Sequence, residues 1–497
     1  MDDSISARIP PSCPPETQQI LTAAWSHDVA TVKKLLDTPG RASARDPVTG
    51  ETPLHAAIRA LGPVPGPEAS EEEKKEDEAS VEAAIATIKE LFLWGAIWND
   101  VDDRDETPGC LADRLGRGEV YNLCVEAGVR AELLFGLFQN DEYEELDSGD
   151  EEMEDGEEGD HVEIEMEDGH VNGAPEDGEE APELVQTKEQ EPQRANGGPD
   201  VNSEEYLKSH LTLDETKLVD EDGNGVMMAW ETEIMRQSKD TLLPEPQQGK
   251  RILNVGFGMG IIDSMFADTK PAQHHIIEAH PEVLKRISAP DSKFGAEWEA
   301  SSPEPGAYKV HQGKWQEICP QLLAEGLVYD AIYFDTFGED YSQLKEFFTD
   351  YVPGLLDTDG VFGFFNGLGA DRKICYDVYT KVVEMHLADA GLDVDWKVID
   401  VDLKGLEEAG KGEWEGVRRR YWTLDSKLYP GARHVIEERD TDANFSQNID
   451  CRSVRSWDKP LPPYQNILWI LSDCHGMVPA TANIDGCIMK PPLHWRK

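Results

Sequence analysis

The segment Arg251–Glu278 constrains this chain more than any other. It opens Arg-Ile-Leu-Asn-Val-Gly-Phe-Gly-Met-Gly, continues through a helical run and closes on His-Ile-Ile-Glu. An apolar strand runs into a glycine-rich turn, and a second apolar strand ends in an acid, Glu278, 20 residues after Gly258. That order is the start of a doubly wound sheet with a nucleotide-type cofactor lying across its strand ends. Glycines let the backbone approach a ligand closely, and the acid can accept hydrogen bonds from two ribose hydroxyls. Two cofactor classes use the layout. A dinucleotide site seats a pyrophosphate on the helix N-terminus and reads G-x-G-x-x-G/A. Here Gly256, Gly258 and Gly260 give G-x-G-x-G, with bulky Ile261 and Ile262 behind. That spacing suits S-adenosylmethionine, which carries no phosphate and needs only a close turn. A plain tight turn can read the same way; the strand before it and the acid after it favour a cofactor site.

The alternation continues through residues 201–425. Apolar runs predict strands at 251–255, 275–278, 308–312, 330–335, 361–366, 396–401 and 418–424. Helices are predicted near 261–266, 281–287, 315–323, 341–356 and 371–390, with two more ahead of the sheet at 206–211 and 227–235. This is an α/β pattern with a mostly parallel sheet. Ligands in such sheets bind outside the carboxyl ends of the strands, where Gly256, Glu278 and Asp335 all fall.

Asp335 ends the apolar run Tyr329-Asp-Ala-Ile-Tyr-Phe-Asp, and Glu231 sits in Ala-Trp-Glu-Thr ahead of the sheet. If that segment folds over the crevice, the two acids face one substrate. A carboxylate pair suits a guanidinium, whose planar fork of N–H donors binds it bidentately. Such a pair could orient one nitrogen, accept its proton and offset the charge left behind. Taken singly, each acid reads equally as a cap or an ion-pair partner.

The flanks differ in kind. Residues 16–138 read as short amphipathic helices, and Thr52-Pro-Leu-His-Ala-Ala fits the ankyrin repeat, with Thr-Pro opening a helix and His55 bonding the turn. A second Thr-Pro pair lies 55 residues on, at Thr107, against about 33 for one repeat. The charged stretch Glu68–Glu82 is the expected insertion, leaving two or three degenerate repeats or a plain helical domain. Residues 139–200 form an acidic linker; within 141–180, 21 of 40 residues are Asp or Glu and none is Lys or Arg. Such a segment cannot bury enough apolar surface to offset ordering entropy, and it reads as a disordered spacer that could also attract a basic substrate. The net charge of −54 argues against direct nucleic-acid binding and against anionic membranes. Eight scattered cysteines, an opening without signal-peptide character and no bilayer-length apolar run predict reduced thiols in a cytoplasmic or nuclear protein. In 426–497 the pattern dissolves into an atypical tail with Pro430, Pro460, Pro462 and Pro463; Cys474-His475 lacks the paired spacing of a zinc site.

Five motifs in order resemble guanidinoacetate methyltransferase: Val-Met-x-x-Trp-Glu-Thr at 226–232, Val-Gly-Phe-Gly-Met at 255–259, Ile-Ile-Glu at 276–278, Gly-x-Trp at 313–315 and Tyr-x-Asp-Thr at 333–336. Over residues 16–425 the arrangement is closer still to the fungal enzymes that methylate the internal δ nitrogen of arginine, which join ankyrin-like repeats, an acidic linker and this catalytic domain. The resemblance implies a Rossmann-like methyltransferase using S-adenosylmethionine. It implies cofactor contacts at Phe257, Gly258, Met259, Gly260, Ile261 and Ile262, at Glu278, Ala279 and His280, and at Trp315 and Gln316 on the adenine side. Tyr206 and Met235 match lid contacts, while Asp335 and Glu231 match the carboxylates that hold the guanidino group, with Asp335 the better base. Asn366 reads either as part of the acceptor pocket or as a cap. The implied acceptor is an arginine in a large-subunit ribosomal protein, with the repeats docking the partner.

Departures matter too. Gly-Leu-Gly-Ala follows Asn366 in place of the hydroxyl-rich stretch of the small-molecule enzyme, which favours a larger acceptor. Beyond about residue 426 the family's last apolar strand is not recognisable, so the tail reads as an unusual extension or an erroneous gene model. Two other functions stay open: a methyltransferase for a small guanidino compound, and an interaction scaffold with a dead enzyme domain.

Overall fold

The computed structural model describes residues 2–144, 203–244 and 248–434. A small antiparallel sheet joins β1 (Thr212–Leu213), β2 (Lys217–Val219) and β3 (Gly225–Met228). The large sheet holds β4 (Arg251–Val255), β5 (Gln273–Glu278), β6 (Tyr308–Gln312), β7 (Tyr329–Phe334), β8 (Leu356–Phe364), β9 (Leu392–Asp400) and β10 (Ser426–His434). Its order is β6-β5-β4-β7-β8-β10-β9, with β4 to β8 parallel and β10 running antiparallel to both β8 and β9. This is a Rossmann-like doubly wound domain. The order reverses at β4, which pairs with β5 on one side and β7 on the other, and a crevice opens there.

The period-2 alternation of side chains divides the core. Ile252, Ile276, Ala331 and Tyr333 join one apolar cluster, while Leu253, Ile277, Ile332 and Phe334 join the cluster on the opposite face. Both faces are covered, so these strands read as continuous apolar runs.

Two expectations need correction. The run 418–424 is irregular rather than a strand, and the seventh strand is β10, past the boundary expected at 425. Its register against β9 runs unbroken from Ser426↔Asp400 to His434↔Leu392. Lys427, Pro430 and Gly431 interrupt its apolar pattern, and a proline argues against an interior strand because it cannot donate to the ladder. The helix expected at 227–235 is instead the end of β3, a tight turn Ala229–Glu231 and the helix Thr232–Leu242. The charged stretch Glu68–Glu82 falls mostly in the helix Glu71–Leu93, begun by a capping box between Ser70 and Glu73. The rest of the tail, with Cys474-His475, and the acidic linker lie outside the described residues.

The N-terminal part stacks helix pairs: Pro15–Trp25 with Val29–Leu36, Pro53–Arg59 with Glu71–Leu93, and Pro108–Arg114 with Gly118–Glu144. Thr52 and Thr107 cap their helices ahead of Pro53 and Pro108. His55 is fully buried; its Nδ1 lies 2.8 Å from the Thr52 hydroxyl and its Nε2 2.9 Å from the Glu106 carbonyl oxygen, so it ties one turn to the next. Among the described residues no helix is long and apolar enough to cross a membrane.

This helical part shares a core with the sheet domain through the helix Lys373–Asp389. Ile374, Val378 and Val382 belong to the helical cluster, while Val383 and Leu387 belong to the cluster beneath the sheet. The Tyr121 hydroxyl donates to Asp377 at 2.6 Å across the junction. Close approach requires Gly128, where a Cβ would stand 2.6 Å from a Val378 methyl and 3.0 Å from the Trp98 ring. On the same helix a Cβ at Gly136 would meet nothing within 4 Å. Gly128→Ala should therefore destabilise the chain by about 1–3 kcal/mol through overpacking. Gly136→Ala should stabilise it by roughly 0.5–1 kcal/mol, as a helix interior favours alanine. Urea denaturation of both variants checks the pair; equal effects of the same sign would refute the tight junction.

Candidate active site

The crevice is built on one close backbone approach. Gly256 has φ +92°, and a Cβ there would lie 1.9 Å from the Asp335 carbonyl oxygen. Only glycine fits, so the ends of β4 and β7 can meet. The amide of Asp335 donates to the Val255 carbonyl at 2.8 Å, and that of Gly256 to the Ile277 carbonyl at 2.9 Å. Below the turn, the Asn254 side-chain amide donates to the Gly256 carbonyl (2.9 Å) and to Asp263 (2.7 Å), and Asp263 pairs with His274 at 2.9 Å.

Glu278 ends β5 beside the turn. Its carboxylate accepts from the amides of His280 (2.6 Å), Phe257 (3.0 Å) and Gly258 (3.4 Å). Burial raises its pKa, and these backbone donors oppose the rise.

Two cavities flank the β7 end. The smaller, about 70 Å³, is lined by Gly256, Gly258, Glu278, Ala279, Trp315 and Gln316, with Tyr206 at its rim. The larger, about 460 Å³, is lined by Glu231, Phe365, Arg419 and Tyr421. Asp335 and Glu339 lie in the wall common to both. Gln316 presents a buried side-chain oxygen with no hydrogen-bond partner among the described residues, an acceptor suited to an adenine amino group. A ribose-type acid, a turn without side chains and that free acceptor fit S-adenosylmethionine.

Met235, Phe257, Met259, Gly260, Ile261, Ile262 and His280 are set back from that lining, which Trp315 joins. Met235 is fully buried in the core, and Phe257 packs edge-on against Phe294. Ile262 is buried behind Ile261 at the start of the next helix, and Gly260 precedes that helix in a left-handed conformation. The Met259 amide meets the Met227 sulfur at 3.2 Å, and His280 Nε2 lies 3.0 Å from the Tyr206 carbonyl oxygen. Trp315 buries its ring against Phe334, Phe347 and Tyr351, with its indole N–H on Glu339 at 2.9 Å. Asn366 does not line the larger cavity; its fully buried amide reaches the Tyr376 hydroxyl at 3.1 Å and the Thr380 hydroxyl at 3.3 Å, which makes it a structural tie.

The acid pair does converge. Glu231 is buried and accepts from the Tyr421 hydroxyl at 2.6 Å and from the Met228 amide at 3.2 Å. Burial raises its pKa against the pull of Tyr421. Protein packs round the Asp335 carboxyl, and burial first, then Glu231, push its pKa up to about 7. The Tyr333 hydroxyl donates to it at 3.3 Å. Sequence reasoning missed two further groups. Tyr421 lay within the run expected as a strand at 418–424, with no role attached. Lys427 on β10 gave no signal at all; it is fully buried, with its ammonium nitrogen 2.9 Å from the centroid of the Phe365 ring.

Comparison with known proteins agrees with this geometry. Residues 204–395 match the family model of guanidinoacetate N-methyltransferase. Protein arginine N-methyltransferase 2 of Gibberella zeae is 60% identical over 440 residues, covering 87% of this chain and 96% of that protein. The protein of the same name from Neurospora crassa is 62% identical over 435 residues (86% and 98%), and that from Emericella nidulans 46% over 442 residues (84% and 97%).

The Gly256 contact generates a direct test. Gly256→Ala adds a methyl group at a left-handed position against backbone that cannot yield. Calorimetry with S-adenosylhomocysteine should show binding weakened by at least about 2 kcal/mol, within the range for a strained backbone site. Affinity within experimental error of the parent would refute the close approach.

Proposed function

The chain belongs to the protein arginine N-methyltransferase 2 family and is an S-adenosylmethionine-dependent arginine methyltransferase, and from that premise we propose that it methylates the δ nitrogen of an arginine presented by a large-subunit ribosomal protein. The observation that carries the reading is Asp335 in the wall common to the cofactor crevice and the larger cavity, with Glu231 lining the latter. The choice of δ nitrogen and of a ribosomal acceptor is drawn from the family resemblance.

Glu278, Gly258, Ala279 and Gln316 would hold the cofactor's ribose, methionine and adenine portions. Bound there, S-adenosylmethionine supplies an electrophilic methyl group on a sulfonium. The chain's own groups deal with the acceptor. A guanidinium is a poor nucleophile, with a pKa above about 12 and delocalised lone pairs. Asp335 and Glu231 offer its N–H fork a pair of acceptors, fix which nitrogen faces the crevice and shut out competing orientations. Asp335, with its pKa lifted to about 7, takes the proton that the attacking nitrogen must lose. Glu231, anchored by Tyr421 and the Met228 amide, keeps its charge and balances the cation. The stacked helix pairs, read as ankyrin-like repeats, would dock the folded partner, a role a free metabolite does not need.

Asp335→Ala should lower methyl transfer at least about 100-fold, the range for loss of a general base, while leaving S-adenosylhomocysteine affinity nearly unchanged by calorimetry. Loss of all cofactor binding would contradict its role toward the acceptor. Because the base must be ionised, kcat/KM should rise with pH through about 7 and level off above it; a profile flat from pH 6 to 8, the range about one unit either side of that pKa, would oppose the assignment.

Labelled S-adenosylmethionine and a ribosomal protein fraction, followed by hydrolysis, test the product. Label in δ-monomethylarginine supports the reading, and label only in terminal-nitrogen methylarginine overturns the nitrogen. Transfer to guanidinoacetate without any protein would favour the small-acceptor enzyme.

A further inference from the structure

Strand β10 lies between β8 and β9, yet it carries a lysine facing inward. Lys427 is fully buried, and its ammonium has no hydrogen-bond partner among the described residues. The nitrogen rests 2.9 Å from the centroid of Phe365 and 5.5 Å from that of Trp422. Phe365 itself lines the larger cavity with Glu231 and Asp335, so the ammonium stands behind an aromatic wall of the acceptor site. Ring faces attract a cation but do not replace its hydration, so such a group needs opposite charge nearby.

That charge comes from the acid pair. Lys427 pulls the pKa of both Asp335 and Glu231 down, and both push that of Lys427 up against the effect of burial. Burial nonetheless lowers Lys427 to about 7, the range in which Asp335 also titrates, so the charge of each responds to the other. The other ionisable groups near this cluster are the hydroxyls of Tyr421 from the loop before β10, Tyr333 from β7 and Tyr376 from the helix Lys373–Asp389, bonded to the Leu428 backbone, together with Arg419, Asp340 and Glu339 in the lining of the same cavity, where Glu339 accepts from the Trp315 indole and the Thr336 hydroxyl. Asp393, Asp395, Lys397 and Asp400 on β9 are exposed, as are Glu233, Arg236 and Asp240 on the helix Thr232–Leu242, where Lys239 pairs with Asp240. On β8, Asp357 pairs with Arg251 at the far end of the strand and Asp359 is exposed.

We propose that Lys427 is a positioning residue for methyl transfer: from behind Phe365 its ammonium keeps Asp335 and Glu231 ionised, ready to take up the cationic guanidino group and then its proton. The proposal rests on the acid-pair reading above. With both carboxylates ionised and Lys427 charged, this trio carries one net negative charge, which one guanidinium offsets. Without the lysine it would carry two, and one acid would bind a proton before the acceptor arrived.

The test uses the full chain with ¹³C-labelled lysine side chains. One lysine signal should titrate well below the others, and in Asp335→Asn it should move lower still, because the carboxylate that keeps the ammonium charged is gone. Lysine signals indifferent to Asp335→Asn would overturn the proposal. In Lys427→Met, calorimetric affinity for S-adenosylhomocysteine should match the parent. The acid limb of label transfer to the ribosomal protein fraction should shift upward by about one pH unit, roughly a tenfold loss on the limb. Lys427→Arg should move the limb back toward the parent. An unshifted limb in folded Lys427→Met overturns the proposal and leaves the acid pair standing. Full turnover by Asp335→Asn would overturn the acid pair, and the proposal with it.

Discussion

The contact between Gly256 and the Asp335 carbonyl is the constraint on which the rest of the site depends. It brings the ends of β4 and β7 within backbone distance, at the position where strand order reverses. The same contact sets Asp335 at the edge of the glycine-rich turn and in the wall of the acceptor cavity at once. A side chain at Gly256 would separate those ends and remove the common wall. Asn254, Asp263 and His274 brace the turn from below, while Glu278 binds the turn's amides from the side. The cradle is thus rigid before a ligand arrives, and little ordering remains to be done on binding.

Electrostatics in the acceptor cavity follow from burial. Two carboxylates out of water favour their neutral forms, and each makes the other's ionisation harder. Tyr421 and a backbone amide support Glu231, which leaves Asp335 the more responsive member, lifted into the neutral range. The guanidino acceptor is cationic, so a site that resists holding two negative charges alone gains most when that acceptor enters. Lys427 belongs to this arrangement through charge and not through contact, since its ammonium sits on aromatic faces.

The helix Lys373–Asp389 links the two halves of the described chain. One face completes the helical core with Ile374, Val378 and Val382, and Tyr376 on the other reaches Asn366 and the backbone of Leu428, next to Lys427. The helical part is therefore packed against the enzyme domain and not merely tethered by the acidic segment. Loss of that cover would expose an apolar helix face whose far side holds β8 and β10 together.

The sequence by itself determined the elements whose signals are local. The run of β4 was legible to the residue, because a strand buried on both faces reads as a nearly unbroken hydrophobic stretch, and the edge strand β6, Tyr-Lys-Val-His-Gln, also kept its expected bounds although it is only partly buried. The glycine turn, the acid at Glu278 and the Thr-Pro helix starts were legible because local backbone geometry demands those residue types. Asp335 and Glu231 were visible as acids at promising positions, but their meeting across one cavity was not. Tertiary structure alone decided β10, whose Lys427, Pro430 and Gly431 have no strand character until β8 and β9 supply partners on either side. It also decided the depth of Lys427 and the place of Asn366. A buried charge carries no local pattern: its environment is assembled from Phe365, Trp422, Asp335 and Glu231, which only the folded sheet brings together.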